Sequence, residues 1–249
     1  MTTDASQPNL RERRQRPAST KTPSQKPNIG DRYNLMFSTS QIVDGLWVGT
    51  MEFGAKPGLR RAIDAIQLIK DHDPLSYARV VGHLERVQVH FVPHGLAMYV
   101  HRLRTCVLDE RFVLAETTTL ERIASAIVHE ATHARLEGWG IEYVEQERTR
   151  IEAVCHRRER SFAGRLPNNE NSEQLRQQIA DSLAYYSNNH DYFSDASLQK
   201  KTEDGNVETL RYLNVPDWLI RFLLATVSAR LAMHRFIRHC TERPPHLRG

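Results

Sequence analysis

The stretch IVHEATHARLEG, residues 127–138, sets His129 and His133 four residues apart with Glu130 directly after the first. On a helix that spacing stacks two imidazoles on one face, where both can bind the same metal ion. Zinc held by three protein ligands keeps a fourth position for water, lowers that water's pKa to about 7, and needs a carboxylate to take the proton. Glu130, about 100° round the helix from His129, is placed for that role without being a ligand. With 12 His and 18 Glu among 249 residues, the pattern arises by accident in such a chain with a probability of roughly 0.04, so its surroundings must decide.

The flanks predict a helix. Thr117, Thr118 and Thr119 offer N-caps, Thr118 with Glu121 fits a capping box, and Gly138 is placed as a stop. On a wheel counted from Leu120, residues Leu120, Ile123, Ala124, Ile127, Ala131 and Ala134 fall within about 100° of one another. His129 and His133 fall near roughly 180° and 220°, away from that apolar stripe. They are predicted to look into a groove or solvent. Arg122 shares their face, which an exposed polar stripe would also explain.

Two imidazoles do not close a site. The next segment, GIEYVEQERTRIEAVCHRRERSFAGRL, carries Glu145, Glu152 and Glu159 one heptad apart on one line, beside a stripe containing Ile151, Cys155 and Phe162. Glycine and histidine three and six residues after the second imidazole would mark a metzincin; Leu136 and Trp139 stand there instead. HEATH followed by eighteen residues and Glu152 resembles the gluzincin group of zinc metallopeptidases, which includes thermolysin, over roughly residues 86–165. That resemblance implies a zincin-like α+β fold, zinc bound by His129, His133 and Glu152, Glu130 as general base, and an edge strand near 105–114 to hold an extended peptide. It also implies a tyrosine or histidine from the later helical part as oxyanion stabiliser, for which Tyr185, Tyr186, His190 and Tyr192 are the candidates. Two departures leave the subfamily open. His156 stands where thermolysin-like members carry an aspartate that orients a histidine, and no GAMEN string occurs. Glu145 or Glu159 could replace Glu152, and a cysteine ligand, Cys106 or Cys155, would be the arrangement of peptide deformylases.

The elements that must position these residues are readable in outline. Strands are predicted at 32–37, 46–53, 86–92, 96–100, 105–109 and 111–114, the later ones as short antiparallel strands, with helices at 58–70 and 75–84. Everything long after residue 117 is helical, which makes an α+β class with a helical second half. Residues 31–249 are expected to form one zincin-like domain behind a basic tail, 1–30, of disordered composition. That tail holds six basic and two acidic side chains, and the remaining residues balance at 28 of each sign. The body therefore has no excess charge to attract nucleic acid. Three unpaired-looking cysteines, no secretory apolar run, and no apolar stretch approaching 20 residues in 216–240 point to a cytoplasmic protein without a transmembrane segment. The expected function is zinc-dependent hydrolysis of a peptide or protein substrate. The alternative is a zincin fold that binds a partner without catalysis.

Overall fold

The computed structural model describes residues 35–52 and 54–224, so the tail 1–30 and the later part of segment 216–240 lie outside the described residues. Five strands, β1 (Thr39–Val43), β2 (Leu46–Thr50), β3 (Arg86–His90), β4 (Ala97–Val100) and β5 (Thr105–Asp109), make one sheet in the order β1-β2-β3-β5-β4. The helices include α1 (Pro57–His72), α2 (Pro74–His83), α3 (Glu110–Leu114), α4 (Leu120–Glu137), α5 (Glu145–Ala163), α6 (Glu170–Asn188) and α7 (Asp195–Tyr212). The chain is α+β with a helical second half, as its pattern indicates.

The register Val48↔Val87, Val87↔Cys106 and Val89↔Leu108 lines these buried side chains along one face of the sheet. Ala62, Ala65, Ile66 and Ile69 of α1, spaced i, i+3, i+4 and i+7, are fully buried in the same core as Ile123, Ala124, Ile127, Ala131 and Ala134 of α4. α4 therefore has its apolar stripe on the sheet side and turns its opposite side toward α5. Asp73 joins three elements. It caps α2 by accepting from the Ser76 N–H at 3.0 Å and the Ser76 hydroxyl at 2.6 Å, and it pairs with Arg165 beyond the end of α5.

Several expectations are corrected. The central strands β2, β3 and β5 are parallel, and only β1 and β4 are antiparallel to their neighbours. The α1–α2 crossover returns the chain in the same direction, and β4 is an excursion to the outer edge between β3 and β5. β5 is thus internal, and the edge beside it is β4, not 105–114. Residues 111–114 are helical because Asp109 accepts from the Phe112 N–H at 3.2 Å and starts α3. Residues 35–37 form a helical turn, and the unforeseen strand β1 pairs with β2 through Asp44 and Gly45, both at positive φ. Thr119, rather than Thr118, caps α4 by accepting from the Arg122 N–H at 3.3 Å.

Helix α7 is set against the loop after β3 at Gly205, where an added Cβ would collide with the Pro93 carbonyl. Alanine is the better helix former by about 1 kcal/mol. Gly205→Ala should nevertheless lower stability by about 1–3 kcal/mol, because close-packed backbone cannot yield to the methyl group. Thermal melting checks this, and a raised midpoint would show that α7 does not sit on Pro93.

Candidate metal centre

α4 and α5 meet along a seam of ionisable side chains. His129 and His133 stand at i and i+4 on α4; Glu152, His156 and Glu159 stand at i, i+4 and i+7 on α5, so each helix presents its set on one face. The side chains of His129, His133 and Glu152 are only 12%, 13% and 9% exposed. They face the neighbouring helix, which corrects the expectation of an open groove or solvent. The wheel finds the face that turns from the sheet, but the second layer covering it comes from α5.

Three ligand side chains converge. His129 Nε2 lies 3.1 Å from His133 Nε2 and 3.1 Å from Glu152 Oε2, and the other carboxylate oxygen, Glu152 Oε1, lies 3.4 Å from His133 Nε2. Tetrahedral ligands about 2.0–2.1 Å from a zinc ion stand about 3.3–3.4 Å from one another. The spacings within this triad of side chains are near that size without any rearrangement of the helices. The other ring nitrogen of His129, Nδ1, lies 3.5 Å from Glu159 Oε2, which also contacts His156 Nδ1 at 2.5 Å, while Glu159 Oε1 accepts from Ser125 Oγ at 3.3 Å. Glu159 is therefore the carboxylate beside the far nitrogen of His129, placed to orient that ring.

Glu130 lies one step round the helix from these ligands, toward the edge of the sheet. It is 7% exposed, accepts the backbone N–H of Tyr99 on the edge strand β4, and neighbours Cys106 of β5. Burial raises its carboxyl to about 7; His129 pulls it down, and Glu152 and Glu159 push it further up. Burial also lowers His133 to about 4, keeping that ring neutral and able to ligate. For Glu152 and Glu159 burial acts upward, but hydrogen bonds and charge from His129 outweigh it and hold both at about 2. His129 shows the reverse balance. Burial disfavours its charged ring, while the Glu159 and Glu152 carboxylates beside it hold it well above the usual histidine range. Burial pushes the neighbouring Cys155 thiol up and keeps it uncharged at neutral pH, so it adds no charge there.

The rival ligands separate. Glu145 is exposed and accepts the Asp195 N–H at 2.8 Å, a cap on α7. Cys155 Sγ lies within 4.8 Å of ring nitrogens of both His129 and His133, and His129, His156 and Glu159 form a second group within the same limit, so these buried groups could also hold a metal ion. Of the tyrosines expected to serve the site, Tyr185 is exposed and Tyr192 packs on Phe193 beneath Lys201. Tyr186 comes closest, stacking on His156 with centroids 5.2 Å apart. The His190 side chain lies outside the described residues.

The residue not foreseen is Tyr143, in the loop between α4 and α5. Its hydroxyl donates to Glu152 Oε1 at 2.6 Å, and its ring stands edge-on to His133 at 5.3 Å. Burial and the Glu152 charge push that hydroxyl up, so it stays a donor. A hydroxylated aromatic in a seven-residue connection between two ligand-bearing helices was the available signal.

No family model matches the chain, and comparison with curated proteins and with solved structures returns no match.

A metal needs a neutral His129, and in the metal-free protein that ring is held protonated, so binding must release about one proton. Affinity should therefore rise about tenfold per pH unit from pH 6 upward, levelling once pH passes the raised pKa of His129. Titration calorimetry of the metal-free protein with zinc, in buffers of differing ionisation enthalpy, measures the release. An affinity independent of pH between 6 and 7 would contradict it.

Proposed function

We propose that this protein is a zinc-dependent hydrolase, with peptide bonds as the substrate class that the gluzincin resemblance suggests. The observation that carries this is the meeting of His129 Nε2, His133 Nε2 and the Glu152 carboxylate, with Oε2 toward His129 and Oε1 toward His133, at spacings of 3.1–3.4 Å assembled from two helices. Nitrogen and oxygen donors in that number and spacing suit zinc, and Glu159 behind His129 fixes the ring and its tautomer. Bound there, zinc would polarise a substrate carbonyl and make water acidic enough to attack it near neutral pH. Glu130 supplies the proton exchange. Its carboxyl at about 7 can accept a proton and return it at the same pH, and the Tyr99 N–H keeps it beside the edge strand. β4, outermost in the sheet, takes over the strand position expected for an extended peptide.

Purified protein should carry about one zinc per chain. His129→Ala and Glu152→Ala should abolish stoichiometric zinc, while Glu130→Gln should retain it and lower peptide hydrolysis by roughly 100-fold or more. Elemental analysis and a peptide-library assay read both. Full zinc content in Glu152→Ala would move the third ligand, and unaltered turnover in Glu130→Gln would remove the mechanism.

One observation favours a second reading, a closed structural zinc. The Cys155 sulfur lies within 4.8 Å of both imidazoles, and a thiolate fourth ligand would leave no position for water. Cys155→Ala separates the two. The hydrolase reading expects zinc content and turnover within about threefold of the parent, whereas the structural reading expects zinc affinity to fall by orders of magnitude.

A further inference from the structure

Tyr143 does more than cover the ligands. A glutamate ligand serves a metal only while its carboxylate is held in place, and the groups that hydrogen-bond it do that. In this protein Glu152 Oε2 faces His129 Nε2 at 3.1 Å, and Oε1 lies 3.4 Å from His133 Nε2 while accepting the Tyr143 hydroxyl at 2.6 Å. The tyrosine is itself held from the far side. The Arg148 guanidinium lies over its ring, 5.4 Å from the centroid, and Arg148 is anchored by the Asp195 carboxylate at 2.6 Å and the Phe193 carbonyl at 3.0 Å. Glu145 fastens the same junction by accepting the Asp195 N–H. A chain of contacts therefore runs from the start of α7, through Arg148 and Tyr143, to the candidate ligand.

We propose that Tyr143 is a positioning residue that holds the Glu152 carboxylate against the two imidazoles, and that Arg148 transmits to it the docking of α7. This rests on the metal reading of the His129–His133–Glu152 triangle. The geometry gives each member a separate task. Tyr143 occupies Oε1, its edge-on contact at 5.3 Å keeps the ring against His133, and Arg148 prevents the loop at 138–144 from lifting the hydroxyl away. The tyrosine is 44% exposed, so it stands at the outer margin of an otherwise enclosed cluster. Release of the α7 start would free Oε1 and alter the ligation without touching any ligand.

The test compares the parent chain with Tyr143→Phe and Arg148→Lys. Zinc affinity is read by competition with a chromophoric chelator, and the number of ligands by the visible spectrum of the cobalt(II)-loaded protein. Tyr143→Phe should bind zinc roughly tenfold more weakly and change the cobalt spectrum from that of the parent. Arg148→Lys keeps the charge near Asp195 but loses the planar group over the ring, and should shift both readouts the same way by less. A Tyr143→Phe protein that binds cobalt with the parent spectrum overturns the proposal. Should that variant not fold, the spectrum of Arg148→Lys decides, a shift supporting the proposal and the parent spectrum overturning it. A parent chain that binds neither metal removes the metal reading and this proposal with it, an outcome distinct from a metal-binding parent and an unshifted variant.

Discussion

Charge buried between two helices is the constraint that the rest of this structure serves. A carboxylate withdrawn from water costs several kcal/mol unless partners meet its lone pairs. Here Glu152 and Glu159 lie within the α4–α5 seam, and Glu130 lies just round the helix from it. Each is answered: Glu152 by His129 and Tyr143, Glu159 by His129, His156 and Ser125, Glu130 by the Tyr99 N–H. Such a connected network tolerates little displacement, because removing one partner strands another in a medium that solvates it poorly. The helices must be held accordingly.

The holding is done by ordinary packing. Ala124, Ala131 and Ala134 are small enough to let α4 lie close to its neighbours, and Ile123 and Ile127 key it into the core. α1 reaches across to the entry of α4, where Arg61 donates to the Ala115 and Thr118 carbonyls. On the other side, Phe162, Leu166, Leu175 and Ile179 join α5 and α6 into the same core. The catalytic and ligating candidates thus stand on regular helices over a sheet, where their rotamers are set by neighbours, and the one contributor from a loop, Tyr143, is secured by Arg148.

How much of this the chain reveals before folding differs from element to element. The pairing of His129 with His133, and Glu130 beside them, is legible because helical spacing is a local property, whereas Glu152 stands on α5, is suggested by the gluzincin spacing, and meets them only through the packing of two helices. Glu159 is visible only as a rival, since its role depends on which nitrogen of His129 it faces, a matter of how two helices rotate against each other. Tyr143 is invisible to periodicity because it lies in neither helix. The sheet shows a similar limit. The runs at 46–50, 86–90 and 105–109 read as strands, but parallel pairing follows from the route of the α1–α2 crossover. β1, largely polar and exposed, carries too little apolar alternation, and only the positive-φ pair Asp44-Gly45 marks its hairpin. At 111–114 the apolar run Phe112-Val113-Leu114 imitates a strand, and the cap from Asp109 decides for helix.

The protonation pattern of the cluster follows from its geometry and separates it from a generic charged face. Ring nitrogens 3.1 Å apart cannot both carry protons directed at each other, and both are within 3.4 Å of a carboxylate. Two ring nitrogens and a carboxylate this close together in a poorly solvated seam favour a cation among them. In the metal-free protein a proton on His129 meets the need: the carboxylates hold that ring up against burial, while burial, aided by the His129 charge, lowers its neighbour His133 to about 4. A divalent ion would satisfy all three donors at once where a proton engages them unequally, and Glu159 would keep its contact with His129 Nδ1 in either state. An exposed ion-pair stripe has no such requirement, because water would solvate each group separately and leave the two imidazoles to titrate alike.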